Sequence, residues 1–388
     1  MPDSYITQEI IDALQFNAQE VLPSNQEKLQ QEVERMIESA TTSGQQITQY
    51  IGFEISGEIH IGTGIMSALK IKKLTDAGVR CIIWLADYHT WLNGKLDGDI
   101  NSIRRVAKEY FAPVMLECCK LVECNMDLVE VKFAEQEYNR TTGDNSYWTY
   151  DLNACKQLSL SRVLKSISVT GKTEGEAVDF GTLRYAPMQV ADAFFLQTQI
   201  VSAGMDQRKC HVLMREIAYA MPHQYRLKIG AKEIKPLASH HYLLHGLGKP
   251  VNGEIGKMSK SKPDTCIFVY DSPEDIKRKL KKAFAPMVDS SLTEQENKTL
   301  QQLNPMLDWA RKMIFPAGKS IKVTRKEEWG GDKTYIDYES LEADYLRGNL
   351  HPGDLKPAVA NCLIDWFAPL RSWATDNTIG IDFLRSLK

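Results

Sequence analysis

No stretch of the 388-residue chain reaches the roughly 18 consecutive apolar residues that a membrane-spanning helix needs. The opening segment MPDSYITQEIIDALQF has no basic stretch followed by an apolar core, so no secretory signal is visible and a cytoplasmic location is expected. None of the eight cysteines forms a CxxC pair. That argues against a zinc ribbon and a dithiol redox motif, and leaves reduced, mostly buried thiols. There is no GxxxxGK[ST], so the chain is not a P-loop enzyme. Internal repeats and low-complexity tracts are missing too. A basic excess is also lacking: the net charge is −3, whereas nucleic-acid binders usually carry positive charge. Any nucleic acid must then be met by local patches. Two exist, Lys277-Arg278-Lys279 with Lys281-Lys282, and Lys319, Lys322, Arg325 and Lys326. Each reads equally as a solvated face.

What is present is ordinary globular usage, 43% hydrophobic and 25% charged, in a chain long enough for two domains. Residues 1–45 are polar with apolar residues at helical spacing. From Ile47 the texture changes. ITQYIGFE (47–54) reads as a strand, followed by a turn at Ser56-Gly57 and a helix from about Gly62 to Ala77. VRCIIWLAD (79–87) is continuously apolar, the mark of a strand covered on both faces. A helix over about 99–122 and a strand at Leu128–Phe133 complete a strand–helix–strand–helix–strand unit. This is the α/β doubly wound pattern, whose ligands lie at the carboxyl ends of the strands. Residues 134–184 look like an insertion, with a helix at 151–167. A helix over about 183–197, a strand at Gln199–Ala203 and a helix from Asp206 to Ala220 follow. Short strands at His240–Leu244 and Cys266–Tyr270 flank a Gly/Lys/Ser-rich loop. From Ser272 onward the pattern is helical.

Two places carry chemistry. The first strand runs into Gly57-Glu58-Ile59-His60-Ile61-Gly62-Thr63-Gly64 as a helix begins. Free amide donors and the helix dipole make such a spot an anion site. His60 can donate there to a phosphate oxygen, and Gly62 removes a side chain where a nucleotide must lie against the backbone. Alone, these four common residues read more simply as a turn histidine. The second place is Lys257-Met258-Ser259-Lys260-Ser261-Lys262-Pro263, preceded by Gly253 and Gly256. Lysines and hydroxyls on one loop suit a clamp for a polyphosphate and its transition-state charge; a solvated basic loop is the plain alternative.

Together the two motifs resemble the HIGH and KMSKS signatures of class I aminoacyl-tRNA synthetases, in the right order, context and distance. KMSKS is complete; Thr63 replaces the second histidine. The resemblance narrows to the archaeal/eukaryotic-type tyrosyl-tRNA synthetases and spans nearly the whole chain after residue 45. Tyr50-Ile51-Gly52-Phe53-Glu54 is similar to that family's first strand, whose tyrosine binds the substrate phenol. Tyr185-Ala186-Pro187-Met188-Gln189-Val190-Ala191-Asp192 matches its Y-x-x-M-Q-V-x-D helix. There the aspartate accepts from the phenol while tyrosine and glutamine hold the α-ammonium. Gly204-Met205-Asp206-Gln207-Arg208-Lys209 matches a turn whose acid and glutamine contact the ribose and the amino acid. Independently of the family, Tyr185, Gln189 and Asp192 fall at i, i+4 and i+7, on one helix face. An acid buried against a phenol is left unpaired by phenylalanine and so rejects it, a rule for which a tyrosyl enzyme is itself the standing example.

The resemblance implies a Rossmann-like doubly wound parallel sheet at residues 46–284 and a helical anticodon-binding domain at 285–388. A helical extension would occupy 1–45, and an insertion at about 110–185 would form a homodimer interface. Trp329-Gly330-Gly331-Asp332 and His351-Pro352-Gly353-Asp354-Leu355-Lys356 align with family segments in which the aromatic stacks on an anticodon base and the aspartate bonds the first one. Arg208 and Lys209 would face the acceptor stem, and Lys319 to Lys326 would meet phosphates. The implied reaction joins tyrosine to ATP and then to tRNA(Tyr), with Mg²⁺ arriving with ATP and no structural metal. His60, Thr63, Lys257 and Lys260 would carry the catalytic charge. Gly52, Gly62, Gly204, Asp206 and Ser259 would hold ATP. Tyr50, Tyr185, Gln189, Asp192 and Gln207 would hold tyrosine. A tryptophanyl enzyme would share the fold and both signatures, but Tyr50 and Asp192 suit a phenol better than an indole. A paralogue that charges no tRNA, and a non-catalytic RNA-binding derivative, are the remaining readings. The intact C-terminal segment argues against the first, the complete KMSKS against the second.

Overall fold

A computed structural model describes residues 6–172, 177–258, 260 and 262–387. Two units emerge, one of Met1–Gly57, Lys70–Tyr242 and Asp382–Lys388, the other of Glu58–Leu69 and Leu243–Ile381. Among the described residues no helix is long and apolar enough to cross a membrane.

The first unit opens with α1 (Thr7–Gln15), β1 (Ala18–Leu22) and α2 (Gln26–Ser43). Helical spacing predicts the two helices but not the strand between them. β2 (Thr48–Phe53) leads to α3 (Ile61–Asp76), whose first turns group with the second unit, and then to β3 (Arg80–Leu85). Five of the six β3 residues are buried, as its unbroken apolar run requires. A short α4 (Asp87–Leu92) follows. The helix expected over 99–122 runs unbroken from Ile100 to Leu121 as α5 (Ile100–Val106) and α6 (Ala112–Leu121), with a π turn at Ala107–Phe111 between them. Pro113 stands just after that turn. It has no N–H for the carbonyl four residues back, and a widened turn accommodates the loss.

β4 (Val129–Phe133), α7 (Ala134–Arg140), α8 (Tyr147–Gln157) and α9 (Leu160–Ser166) come next. α10 (Phe180–Leu196) starts three residues earlier than its periodicity predicts, because the Asp179 carboxylate accepts from the Thr182 amide at 2.7 Å and caps it. The unit finishes with β5 (Ile200–Gly204), α11 (Arg208–Ile217), the small hairpin β6 (Lys228–Ile229) and β7 (Lys232–Glu233), and β8 (Leu237–His241). The strands line up as β1-β8-β5-β2-β3-β4, parallel except for β1. Helices connect the parallel strands, so the sheet is doubly wound. The order reverses between β2 and β5, the switch point where such sheets bind ligands. Lys70 of α3 is fully buried. Its ammonium donates to the carbonyls of Ala13, Leu14 and Phe16 at 2.7–2.9 Å, fixing the end of α1.

In the second unit α12 (Pro273–Lys282), α13 (Glu294–Gln301) and α14 (Pro305–Trp309) precede a two-stranded sheet of β9 (Ile321–Val323) and β10 (Lys333–Tyr335). α15 (Tyr338–Leu346), α16 (Pro352–Trp366) and α17 (Ala368–Asp376) follow, and α18 (Thr378–Ser386) starts in this unit while its residues from Asp382 group with the first. This segment is helical as its periodicity predicts, apart from the small sheet, whose three-residue strands leave no readable period. The strand expected at Cys266–Tyr270 is reduced to one antiparallel bridge, His60 with Phe268.

Candidate functional site

In the first unit the candidate residues gather on β2, β3, α4, α7 and α10. Alternation along β2 puts Tyr50 and Gly52 on one face; a Cβ at Gly52 would sit 3.5 Å from Trp84 and 3.6 Å from Tyr50. The Tyr50 hydroxyl lies 3.4 Å from the Gln189 carbonyl. Asp192, a turn along α10, is 1% exposed. Its Oδ1 accepts from the Tyr138 hydroxyl at 2.6 Å and its Oδ2 from the Trp84 indole at 3.2 Å. Burial pushes this carboxyl well above the usual carboxylate range, while those two hydrogen bonds pull it down. The Tyr50 phenol is held well above its ordinary value by burial and by the nearby Asp192.

Tyr185 is buried, and its phenol is likewise pushed up by burial and then by the Glu54 carboxylate, to which it is hydrogen-bonded. Asn93 donates to the same carboxylate at 2.7 Å. The buried His89 ring meets Tyr185 edge-on at 4.8 Å, with Nε2 3.9 Å from Asp192 Oδ2. Burial lowers His89 to about 4, so it is neutral at pH 7. Its two nitrogens and Gln189 Oε1 are buried without a hydrogen-bond partner among the described residues. These are polar groups a ligand can satisfy. Sequence reasoning placed Tyr50, Tyr185, Gln189 and Asp192 together, and they do converge. It missed Trp84, His89, Tyr138 and Glu54. Trp84 and His89 sit inside the run IIWLADYH, which reads as core, and only the pairing of β2 with β3 brings that run to α10.

Gly204 ends β5, and Asp206 and Gln207 lie in the single 3₁₀ turn before α11. Gln207 donates to the Val169 carbonyl at 3.2 Å. Asp206 lies close enough to Tyr185 to raise its phenol further. Arg208 forms a two-pronged pair with Glu20 of β1 at 2.6 and 2.9 Å, and Lys209 donates to the Lys165 carbonyl at 2.8 Å. Both side chains therefore have partners within the chain.

In the second unit the helix tip and the lysine loop come together. The Ile61 amide donates to the Ile267 carbonyl at 2.9 Å and Val269 to Ile59 at 3.1 Å, lacing the turn to the segment after the loop. The His60 ring folds over the first turn of α3, 3.3 Å from the Thr63 hydroxyl and 3.3 Å from its amide. A Cβ at Gly62 would come within 3.1 Å of that ring and 3.7 Å of Met258 Sδ. Burial, then the ammonium groups of Lys260 and Lys257, lower His60 to about 3. The imidazole is thus neutral and can still donate one N–H.

The loop is pinned at both ends. Gly246 donates to the Gly256 carbonyl at 2.8 Å and Leu247 to the Thr265 carbonyl at 2.9 Å. A Cβ on Gly246 would stand 2.9 Å from the Gly256 oxygen, so only glycine lets the two segments touch. Sequence reasoning did not single out Gly246. Ser259 lies outside the described residues.

Farther along this unit, Trp329 is 61% exposed, with the Lys326 ammonium 5.4 Å from its ring centre. Gly330 and Gly331 follow with φ of 95° and 65°. Arg325, expected to meet phosphate, is instead an internal brace, its side chain only 7% exposed. It donates to the carbonyls of Gly331 at 3.0 Å and Asn349 at 2.6 Å, and its Nη1 is 3.9 Å from Asp354. That brace sets the Trp329 loop beside the first turn of α16, where Asp354 sits.

A model of the class I tRNA synthetases for tryptophan and tyrosine (W and Y) matches residues 42–368. The tyrosine--tRNA ligase of Thermococcus kodakarensis is 40% identical over 358 residues, 89% of this chain and 91% of that protein. The one from Pyrococcus furiosus is 39% identical over the same shares. Among solved structures, tyrosyl-tRNA synthetase of Pyrococcus horikoshii complexed with L-tyrosine superposes with a TM-score of 0.85 at 37% identity, covering 98% of this chain and 100% of that one. A tryptophanyl-tRNA synthetase from Aeropyrum pernix, at 19% identity and a TM-score of 0.59, shares the fold alone. The chain belongs to the class I tRNA synthetases, within the tyrosine--tRNA ligase family.

Proposed function

We infer that the chain activates L-tyrosine with ATP and then esterifies it to tRNA(Tyr). The choice of tyrosine rests above all on Asp192, a fully buried acid on α10 beside Tyr50 and His89. A tyrosine carboxylate oxygen attacks the α-phosphorus of ATP. The bond to the bridging oxygen breaks, and pyrophosphate leaves with the electron pair. A hydroxyl of the terminal tRNA ribose then attacks the tyrosyl carbonyl and AMP departs. The substrate supplies its own nucleophile, so the protein's task is positioning and charge stabilisation.

Tyr50 and Asp192 read the phenol; Tyr185, Gln189 and Gln207 hold the amino acid. Gly52, Gly62 and Gly204 let the nucleotide approach the backbone, with Asp206 on the ribose and Ser259 at the phosphates. His60 and Thr63 steady the phosphates from the tip of α3, and Lys257 and Lys260 neutralise the departing pyrophosphate. Mg²⁺ comes with ATP, held mainly by its phosphates and water. Trp329 stacks on an anticodon base and Asp354 bonds another. Arg208 and Lys209 take the acceptor stem, which requires phosphate to draw Arg208 from Glu20. The same reading assigns catalysis to residues 46–284 and anticodon binding to 285–388. It makes the chain a cytoplasmic homodimer through the insertion at 110–185, where Leu152 and Leu160 are exposed.

The test is ATP–pyrophosphate exchange with each amino acid in turn. Exchange driven by tyrosine alone is expected; exchange driven by tryptophan, or by none, overturns the reading.

A further inference from the structure

The acid assigned to the substrate phenol already has donors from this chain on elements remote from α10 in sequence, Tyr138 and Trp84, and the Tyr147 hydroxyl is also close enough to favour its charge. The Tyr138 hydroxyl reaches Asp192 Oδ1 at 2.6 Å, the length of a bond to an ionised acceptor. The Trp84 indole N–H, which can only donate, takes Oδ2 at 3.2 Å. Neither group is free to turn away. Tyr138 is 1% exposed and lies stacked between Tyr147, with ring centres 3.3 Å apart, and Tyr88 at 5.5 Å. Tyr147 is itself pinned to α10 by its hydroxyl on the Met188 carbonyl at 3.2 Å. Trp84 is 1% exposed within β3.

A carboxylate offers about four lone-pair sites. Fixed donors on both oxygens hold them in one orientation and leave a lone pair for a further donor. We propose that Tyr138 and Trp84 are positioning residues for tyrosine selection, keeping Asp192 an oriented acceptor so that the substrate phenol becomes a further donor to it. This rests on the reading that Asp192 receives that phenol.

The electrostatics agree. Asp192 is faced by Tyr50 from β2, Trp84 from β3, His89 from α4, Tyr138 from α7, and Tyr147 and Asp151 from α8. Burial and Asp151 favour the protonated acid, and Asp151 is itself paired with Arg184. His89 is neutral and offers no cation. The charge on Asp192 therefore depends on its neutral donors. Removing one makes the acid easier to protonate, and the position for the further donor weakens as pH falls.

The experiment compares wild type, Tyr138→Phe, Trp84→Phe and Asp192→Asn by tyrosine-dependent pyrophosphate exchange from pH 6 to pH 8.5. Tyr138→Phe keeps the ring stack and removes one oxygen. Its KM for tyrosine is expected to rise about tenfold, the scale of one hydrogen bond to a charged group, while KM for ATP stays the same. Its KM for tyrosine is also expected to climb toward acid at a higher pH than in wild type. Trp84→Phe, with the longer bond, should show the same trend at roughly threefold, and it carries the test if Tyr138→Phe does not fold. A pH profile superimposable on wild type, or equal rises in KM for tyrosine and ATP, overturns the proposal. Asp192→Asn separates the two layers. An unchanged KM for tyrosine there defeats the assignment of Asp192 itself; a raised one with normal Tyr138→Phe and Trp84→Phe defeats only the inference about the donors.

Discussion

On the proposed reading, the acceptor site around α10 and the phosphate motif around α3 solve opposite problems. The first is buried and aromatic: Asp192, Tyr138, Trp84 and His89 are all buried. The second is a helix tip under a lysine loop, where Met258 is buried but Lys257 is exposed and Lys260 only partly covered. Selecting one hydroxyl needs an acceptor stripped of water, because only there does a missing partner cost much. Stabilising a polyphosphate in motion needs cations that move with it. On the proposed reading, selectivity is assigned to the core and charge stabilisation to a helix tip and a lysine loop.

The contrast can be broken in four ways. Asp192→Ala should lower kcat/KM for tyrosine on the order of 10³-fold, since it removes a buried charged acceptor and leaves Tyr138 and Trp84 unpaired. Exchange kinetics that barely change would show that the buried acid does not select. Changing Lys257 and Lys260 together to alanine should lower kcat by about 10²-fold with tyrosine binding intact by calorimetry. Weakened tyrosine binding would erase the division between the two sites.

Trp329→Ala should reduce aminoacylation about tenfold, the worth of one stacked base, and leave exchange alone. Equal losses in both assays would remove its anticodon role. The fourth concerns acid stability. Burial lowers His89 and His241 to about 4, so unfolded chains bind more protons than folded ones between roughly pH 6.5 and pH 4. Stability is full above that window and is lost as pH falls through it, by about 3 kcal/mol per histidine. The melting temperature should drop accordingly. A flat curve from pH 6.5 to 4 would mean that these rings are charged in the folded protein.

Legibility in the sequence divided along the same line. His60, Thr63, Lys257 and Lys260 stand in short contiguous motifs, and contiguity is what a sequence displays. Tyr50, Tyr185, Gln189 and Asp192 are legible through the family resemblance, and helix spacing adds that the last three share a face. The rest of the pocket is long-range. Tyr138 reaches an acid 54 residues away and Trp84 one 108 residues away; each sits in a segment whose local pattern says only core or helix. Gly246 escaped for a related reason, its requirement being set by the carbonyl of Gly256. Among the elements, β1 between two helices, the hairpin β6–β7 and the three-residue strands β9 and β10 were missed because their pattern is too short or too weak to show a period, and the strand expected at Cys266–Tyr270 is only a bridge.

β1 also has a bearing on how the protein behaves outside its reaction. It is the one antiparallel strand of the sheet, laid along β8, and the Glu20–Arg208 pair fastens it there. Stripped of that cover, β8 would present a row of open amides and carbonyls, the kind of template on which foreign strands add and chains clump. Trimming the leader back to the start of β2 would thus cost solubility before it cost chemistry.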